Sequence, residues 1–171
     1  MDRRKNNEPE ITIPSFPGWL KINRGVIPGT DSIFNSAFTR GVVINVGLTE
    51  NKFPPNIIVT LDSYPDGEMS PEEISNLEDK KLGKISRILN RTSEEVCGNR
   101  VFVTEFSDLR TSITSAPRSG TLLLTVVDAT DGTRWASTAT IQTSNPENPD
   151  YLAQRSALLE GFHMASRTPI S

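Results

Sequence analysis

An α+β sandwich, with a twisted and mainly antiparallel sheet covered by helices, is the fold class this sequence predicts. Three observations lead there. Short runs of β-branched and aromatic residues recur along the 171 residues, separated by turn dipeptides such as Asp131-Gly132. Two segments carry full helix punctuation, Ser70-Pro71-Glu72-Glu73 and Asn148-Pro149-Asp150. The first helix stands between groups of strands and the second closes the chain, which is not the strict strand-helix alternation of a parallel α/β sheet.

A chain of this length, 35% hydrophobic and 23% charged, is sized for one core. The expected division is a polar tail over residues 1–10, a single domain over 11–164 and a C-terminal tail over 165–171. A formal net charge of -3 argues against nucleic acid, which needs a surplus of Lys and Arg to displace phosphate counterions. The cluster Arg3, Arg4 and Lys5 reads as a solvated tail. One cysteine, Cys97, cannot form an internal disulfide or a cysteine metal cluster. No apolar run nears the roughly 20 residues of a membrane span, so no integral membrane segment is expected. The expected location is cytoplasmic if Met1 is the native start, and the cell envelope if a signal peptide has been removed.

In order along the chain, the prolines of Pro14-Ser15-Phe16-Pro17-Gly18-Trp19 forbid a helix and predict an extended entry, then a short strand over Trp19 to Asn23 with the indole in the core. Ile33, Phe34, Ala37 and Phe38 recur at helical spacing between Gly25 and Arg40, predicting a short helix or irregular cover. Gly41 to Val46 and Asn56 to Tyr64 are β-branched strands separated by Pro54-Pro55. Pro65-Asp66-Gly67 is a turn in which proline presets φ and glycine accepts a positive one.

The first helix starts with Ser70 as cap, Pro71 in the first turn, Glu73 completing a capping box, and Met69 with Ile74 as a hydrophobic staple. Ile74, Leu77 and Leu82 face the core; Glu72, Glu78, Asp79 and Lys80 face water; Gly83 is the stop. A strand over Ser86 to Asn90, a turn over Glu94 to Asn99, a strand over Arg100 to Phe106 and a loop over Thr111 to Gly120 follow. Asp128 to Thr133 turns a hairpin between Leu122–Val127 and Arg134–Gln142. Trp135, Ala139 and Ile141 take its packed face, and Arg134, Thr138, Thr140 and Gln142 a wetter one. Asn148 caps the last helix, Leu152, Leu158 and Leu159 form its buried side, and Gly161 ends it.

The candidate chemistry is sparse. Cys97 and His163, the only cysteine and histidine, would make a nucleophile and base only if adjacent, and Glu94 and Glu95 work against an activated thiolate. A serine triad lacks a Gly-x-Ser-x-Gly elbow. Asp62 to Glu73 partly follows a calcium-loop spacing through Asp62, Asp66, Gly67 and Glu73. Tyr64 stands where an oxygen ligand belongs and Pro65 stiffens the loop, so a connection is the better reading. No cofactor or metal is expected, and Glu72, Glu73, Glu78, Asp79, Asp66 and Asp131 are accounted for by caps, turns and a solvated helix face.

Several segments resemble the LpqN/LpqT family of actinobacterial lipoproteins, whose fold is a PsbP-like sandwich. They are Phe16-Pro17-Gly18-Trp19, Phe53-Pro54-Pro55-Asn56-Ile57-Ile58-Val59, Thr121-Leu122-Leu123-Leu124-Thr125 and Leu158-Leu159-Glu160-Gly161-Phe162. In order and spacing the likeness spans residues 14 to 164. It implies a non-enzymatic envelope protein that handles lipid or docks on other envelope proteins. Family members that are anchored carry a lipid-modified cysteine after a signal peptide, which Cys97 does not match.

The expected function is therefore a non-catalytic binding or accessory protein. Its partner is either an acyl or lipid ligand in an apolar pocket, or a protein on an exposed face of the sheet. Phe34, Phe38, Met69 and Trp135 are the candidates for that surface. A soluble cytoplasmic adaptor or chaperone for a secreted effector is the first alternative, and a carboxylate-dependent hydrolase the second.

Overall fold

β-branched and alternating segments pair in this chain into one large sheet whose two faces are both used. The computed structural model describes residues 8–22, 39–64, 68–96, 98–110 and 116–166. Its elements are β1 (Glu10–Thr12), β2 (Leu20–Ile22), β3 (Thr39–Ile44), β4 (Asn56–Tyr64), α1 (Pro71–Gly83), β5 (Arg87–Val96), β6 (Asn99–Leu109), β7 (Arg118–Asp128), β8 (Arg134–Thr143), α2 (Pro149–Glu160) and β9 (His163–Ala165). Seven strands form a sheet in the order β2-β3-β4-β8-β7-β6-β5, and β1 with β9 forms a separate two-stranded ribbon. Every pairing is antiparallel. This is the predicted α+β sandwich.

Strand parity divides the core. On one face Leu122, Leu124, Val126, Phe102, Phe106 and Ala136 pack with Ile74 and Leu82 of α1. On the other, Val43, Ile57, Val59, Ala139 and Ile141 pack with Tyr151 and Leu158 of α2 and with Trp19. A smaller cluster of Leu61, Val127, Trp135 and Met164 continues that second face beneath the β1/β9 ribbon.

The helix caps follow the sequence. The Ser70 hydroxyl accepts from the Glu73 backbone N–H at 3.1 Å, and Asn148 Oδ1 accepts from the N–H groups of Asp150 (2.9 Å) and Tyr151 (3.2 Å). Ser70→Ala is expected to cost about 1 kcal/mol in urea unfolding, since it orphans one donor at the first turn. The Phe16-Pro17-Gly18-Trp19 segment closes a turn, with Trp19 N–H donating to the Phe16 carbonyl at 3.0 Å and Gly18 at φ +87°. The buried Trp19 indole N–H then donates to Gln154 Oε1 of α2 at 2.6 Å. The Asp131-Gly132 hairpin forms as predicted, with Gly132 at φ +88° and Thr133 N–H donating to Asp131 Oδ1 at 2.9 Å.

Several expectations are corrected. Asp79 does not face water: it is buried beneath α1, where Thr104 Oγ1 donates to Oδ1 at 2.7 Å and Arg91 forms an ion pair. Gln142 is also buried, donating to Asn56 Oδ1 at 2.9 Å. Leu152 is 44% exposed, and Tyr151, one residue earlier, takes the buried position. Glu94 and Glu95 continue β5 rather than opening a turn, and Arg118 to Gly120 begin β7 rather than ending a loop. α1 does end at Gly83 and Gly161 does cap α2, as expected, although neither glycine is left-handed. Gly161 has φ -80° and is required by close packing, since a Cβ there would stand 2.5 Å from Pro14 Cβ. Glu10 and Ala165, assigned to tails, are register partners in the ribbon. The helix expected between Gly25 and Phe38 and the turn at Pro65-Asp66-Gly67 lie outside the described residues.

Candidate functional site

Two open clefts flank the outer part of the sheet, one on each face. The first lies between α1 and strands β5 and β6. It has a volume of about 210 Å³ and is lined by polar groups, including Ser75, Asn76, Arg91, Ser93, Arg100 and Thr104. Its charges are already matched. Arg91 pairs with Asp79 and donates to Asn76 Oδ1 at 2.8 Å, and Arg100 Nη2 lies 3.0 Å from Glu72 Oε1 while its guanidinium sits over the Phe102 ring at 5.4 Å. Two cations neutralised by two carboxylates leave no net charge to recruit an ion.

The second cleft lies on the opposite face, between β9 and the ends of β5, β6 and β7. Its volume is about 370 Å³. Val96, Val101, Val127, Phe162 and Met164 supply apolar lining, and Asn99, Thr125, Asp128, His163 and Ser166 supply polar groups. An apolar floor with a few polar side chains is the composition of a binding cleft, and this size is at the lower end of such sites, about 300–1,000 Å³.

β9 forms one wall of this cleft and is fixed on three sides. Ile11 of β1 is the register partner of Met164, the Met164 side chain is buried against Leu61, Val127 and Trp135, and Asn99 Nδ2 donates to the Met164 carbonyl at 2.9 Å. Strand alternation then leaves His163 and Ala165, on either side of Met164, exposed. The wall is thus held by the chain's own contacts. Asp128 at its margin is held by Arg134, with Nε at 2.7 Å from Oδ1 and Nη2 at 3.1 Å from Oδ2, and this hydrogen bonding keeps its carboxyl below the ordinary carboxylate range.

Of the candidate surface residues, Trp135 is buried in the cluster under the ribbon, and its indole N–H has no acceptor among the described residues. Met69 is half-buried and packs against the α1 core. Phe34 and Phe38 lie outside the described residues, so these four are not assembled into one described patch. Cys97, Asp66 and Gly67 likewise lie outside them. Among the described residues no three His, Cys, Asp or Glu side chains gather as a metal site, and no helix is long and apolar enough to cross a membrane. Asp62 Oδ1 is engaged locally, accepting from the Ser63 N–H at 2.8 Å, and Glu73 belongs to the first turn of α1.

Sequence reasoning missed Val96, Asn99, Val101 and Met164 as cleft residues. Val96, Val101 and Met164 signalled only apolar character, which cannot separate a cleft floor from a core, and Asn99 closed a segment that read as a turn.

No protein-family model and no curated protein sequence matches the chain. Solved structures do match its fold. LpqN of Mycobacterium tuberculosis, described as involved in cell envelope biogenesis, superposes with a TM-score of 0.65 at 12% identity, over 93% of this chain and 85% of that one. The cyanobacterial PsbP (CyanoP) of Synechocystis sp. PCC 6803 superposes with a TM-score of 0.54 at 11% identity, over 92% of each chain. The fold is thus the PsbP-like sandwich in its LpqN-type form, as the sequence resemblance implied.

Proposed function

We propose that this chain is a non-catalytic accessory protein of the cell envelope, and that the cleft between β9 and the β6–β7 face docks a polypeptide segment of a partner protein. The observation that carries this reading is the cleft itself: open, apolar at its floor and polar at its margins. An extended peptide offers alternate side chains to the floor and backbone groups to Asn99, Thr125 and Ser166. An acyl chain is better served by an enclosed apolar tunnel, and the apolar clusters on both faces of this sheet are filled by their own side chains. The envelope assignment is supported by the fold shared with LpqN, and the non-catalytic assignment by a cleft in which the one lining carboxylate among the described residues, Asp128, is committed to Arg134.

Photocrosslinking in the host tests this. A photoreactive residue at Val96, in the cleft, is expected to give a discrete polypeptide adduct; the same residue at Lys80, on the exposed side of α1, is not. Thr125→Arg, which places a long cation across the floor, is expected to reduce the adduct at least about tenfold while shifting the unfolding midpoint little. Native mass spectrometry of the purified protein supplies the contrary outcome. A copurified lipid displaced by Thr125→Arg would assign the cleft to an acyl ligand, and equal adducts from positions 96 and 80 would overturn the site.

A further inference from the structure

We propose that two copies of this chain pair through β5, antiparallel and centred on Ser93, to continue the sheet from one molecule into the next. β5 is the end strand of the seven, and residues 91–95 are all exposed. An outer strand of this kind carries a row of backbone N–H and C=O groups with no strand beyond it, which is a template for another strand. The regular part of β5 has defined limits. The register with β6 is unbroken from Asn90, opposite Glu105, to Val96, opposite Asn99. A shift between Ile88 and Asn90 interrupts it at one end, and the turn at Gly98 closes the other. The regular segment is therefore seven residues long, with no strand beyond it among the described residues, and Ser93 is its midpoint.

Charge selects the same midpoint. Strands protected against self-pairing carry like charges, proline or a bulge along the paired length. Here the regular segment carries Arg91 near one end and Glu94 and Glu95 near the other. In an antiparallel pair related by a twofold axis normal to the sheet, directly opposite residues share a face, so the axis must pass through a residue. Through Ser93, it sets Arg91 of each copy against Glu95 of the other, and Thr92 against Glu94. Through Arg91 or through Glu94, it sets like charges directly opposite one another, which is unfavourable. Through Thr92, Arg91 faces Ser93 and gains no carboxylate.

Arg91 remains available although Asp79 and Asn76 engage it, because its side chain is 48% exposed and a guanidinium has five N–H donors. The pairing segment meets the cleft by β9 only at its last residue, Val96, and the pairing stands whether or not that cleft holds a peptide.

Disulfide trapping reads the register directly. In a Cys97→Ser background, which leaves no other thiol, Ser93→Cys is expected to yield a disulfide-linked dimer under oxidised glutathione. Arg87→Cys, beyond the register shift, is expected to yield less than about a tenth as much. Sedimentation velocity of the unmodified chain should show a concentration-dependent dimer, weakened at least about tenfold by Glu95→Lys, which sets a lysine against Arg91. Glu95 is exposed, so the same thermal unfolding profile in both proteins confirms that folding is intact. A chain that stays monomeric at the highest concentration reached overturns the proposal. So does a dimer indifferent to Glu95→Lys, or equal trapping from positions 87 and 93.

Discussion

Gly120→Ala is expected to destabilise the fold by about 3 kcal/mol or more, at or above the upper range for overpacking a core. Gly120 lies in β7, inside the sheet, with Gln142 of β8 opposite it on one side and Phe106 of β6 on the other. A Cβ there would collide with the Ile141 carbonyl oxygen, and would also stand 2.9 Å from Phe106 Cζ and 3.0 Å from Gln142 Cα. The phenyl ring can swing, but two backbone atoms of a strand paired on both sides cannot. Set against a total stability of about 5–15 kcal/mol for a domain, the loss is a large fraction. Urea unfolding with circular dichroism measures it. Gly98→Asn is the contrast: φ is +81° and nothing lies within 4 Å of where a Cβ would stand, so a residue tolerant of that conformation should cost about 1 kcal/mol or less. A Gly120→Ala protein within about 1 kcal/mol of the parent would contradict the close approach of β7 and β8.

Tyr151 is expected to make the protein alkali-sensitive. Its ring is buried against the second face of the sheet, its hydroxyl has no hydrogen-bond partner among the described residues, and burial pushes its pKa up to about 12, only partly offset by Arg155. The folded state therefore holds the phenol proton more tightly than the unfolded chain, whose pKa is near 10. The stability this represents is fully present below pH 10 and is lost as pH rises from 10 through 12. Two pKa units correspond to about 3 kcal/mol at most. Tyr151→Phe should remove that loss, and at neutral pH should be neutral or stabilising by about 1 kcal/mol, because it deletes an unsatisfied buried hydroxyl. Urea unfolding of both proteins at about pH 8 and about pH 11.5 isolates the effect as a difference, free of other groups that titrate there. With two tyrosines in the chain, ultraviolet titration of the variant also reports Tyr64 alone. Tyr64 is itself raised, by burial first and then by the charges of Asp62 and Glu78.

The local sequence was enough for the parts that local chemistry decides. Ser70 and Asn148 can satisfy first-turn donors within three residues, Asp131-Gly132 accepts the hairpin conformation, and Asn56 to Tyr64 is β-branched along its first half. Cap, turn and strand therefore fall where they were expected. The succession of β-branched runs and capped helices carried the α+β class, and the order of Phe16-Pro17-Gly18-Trp19, the Pro54-Pro55 loop and the closing Leu158-Leu159 helix carried the resemblance to the PsbP-like sandwich.

Tertiary structure decided what depends on distant partners. Asp79 sits at a helix position that reads as solvent-facing, and it is buried because Thr104, 25 residues on, and Arg91 satisfy its carboxylate. Leu152 and Tyr151 are neighbours in sequence, and the packing of α2 against the second face of the sheet buries the ring and leaves the leucine exposed. The cleft was illegible for the same reason. Val96, Val101 and Met164 come from three strands, and the ribbon of β1 with β9 joins residues near the two ends of the chain, a pairing that no periodicity encodes. Residue type sets what a position can do locally, and the partner that arrives from elsewhere in the chain sets whether it becomes core, wall or surface.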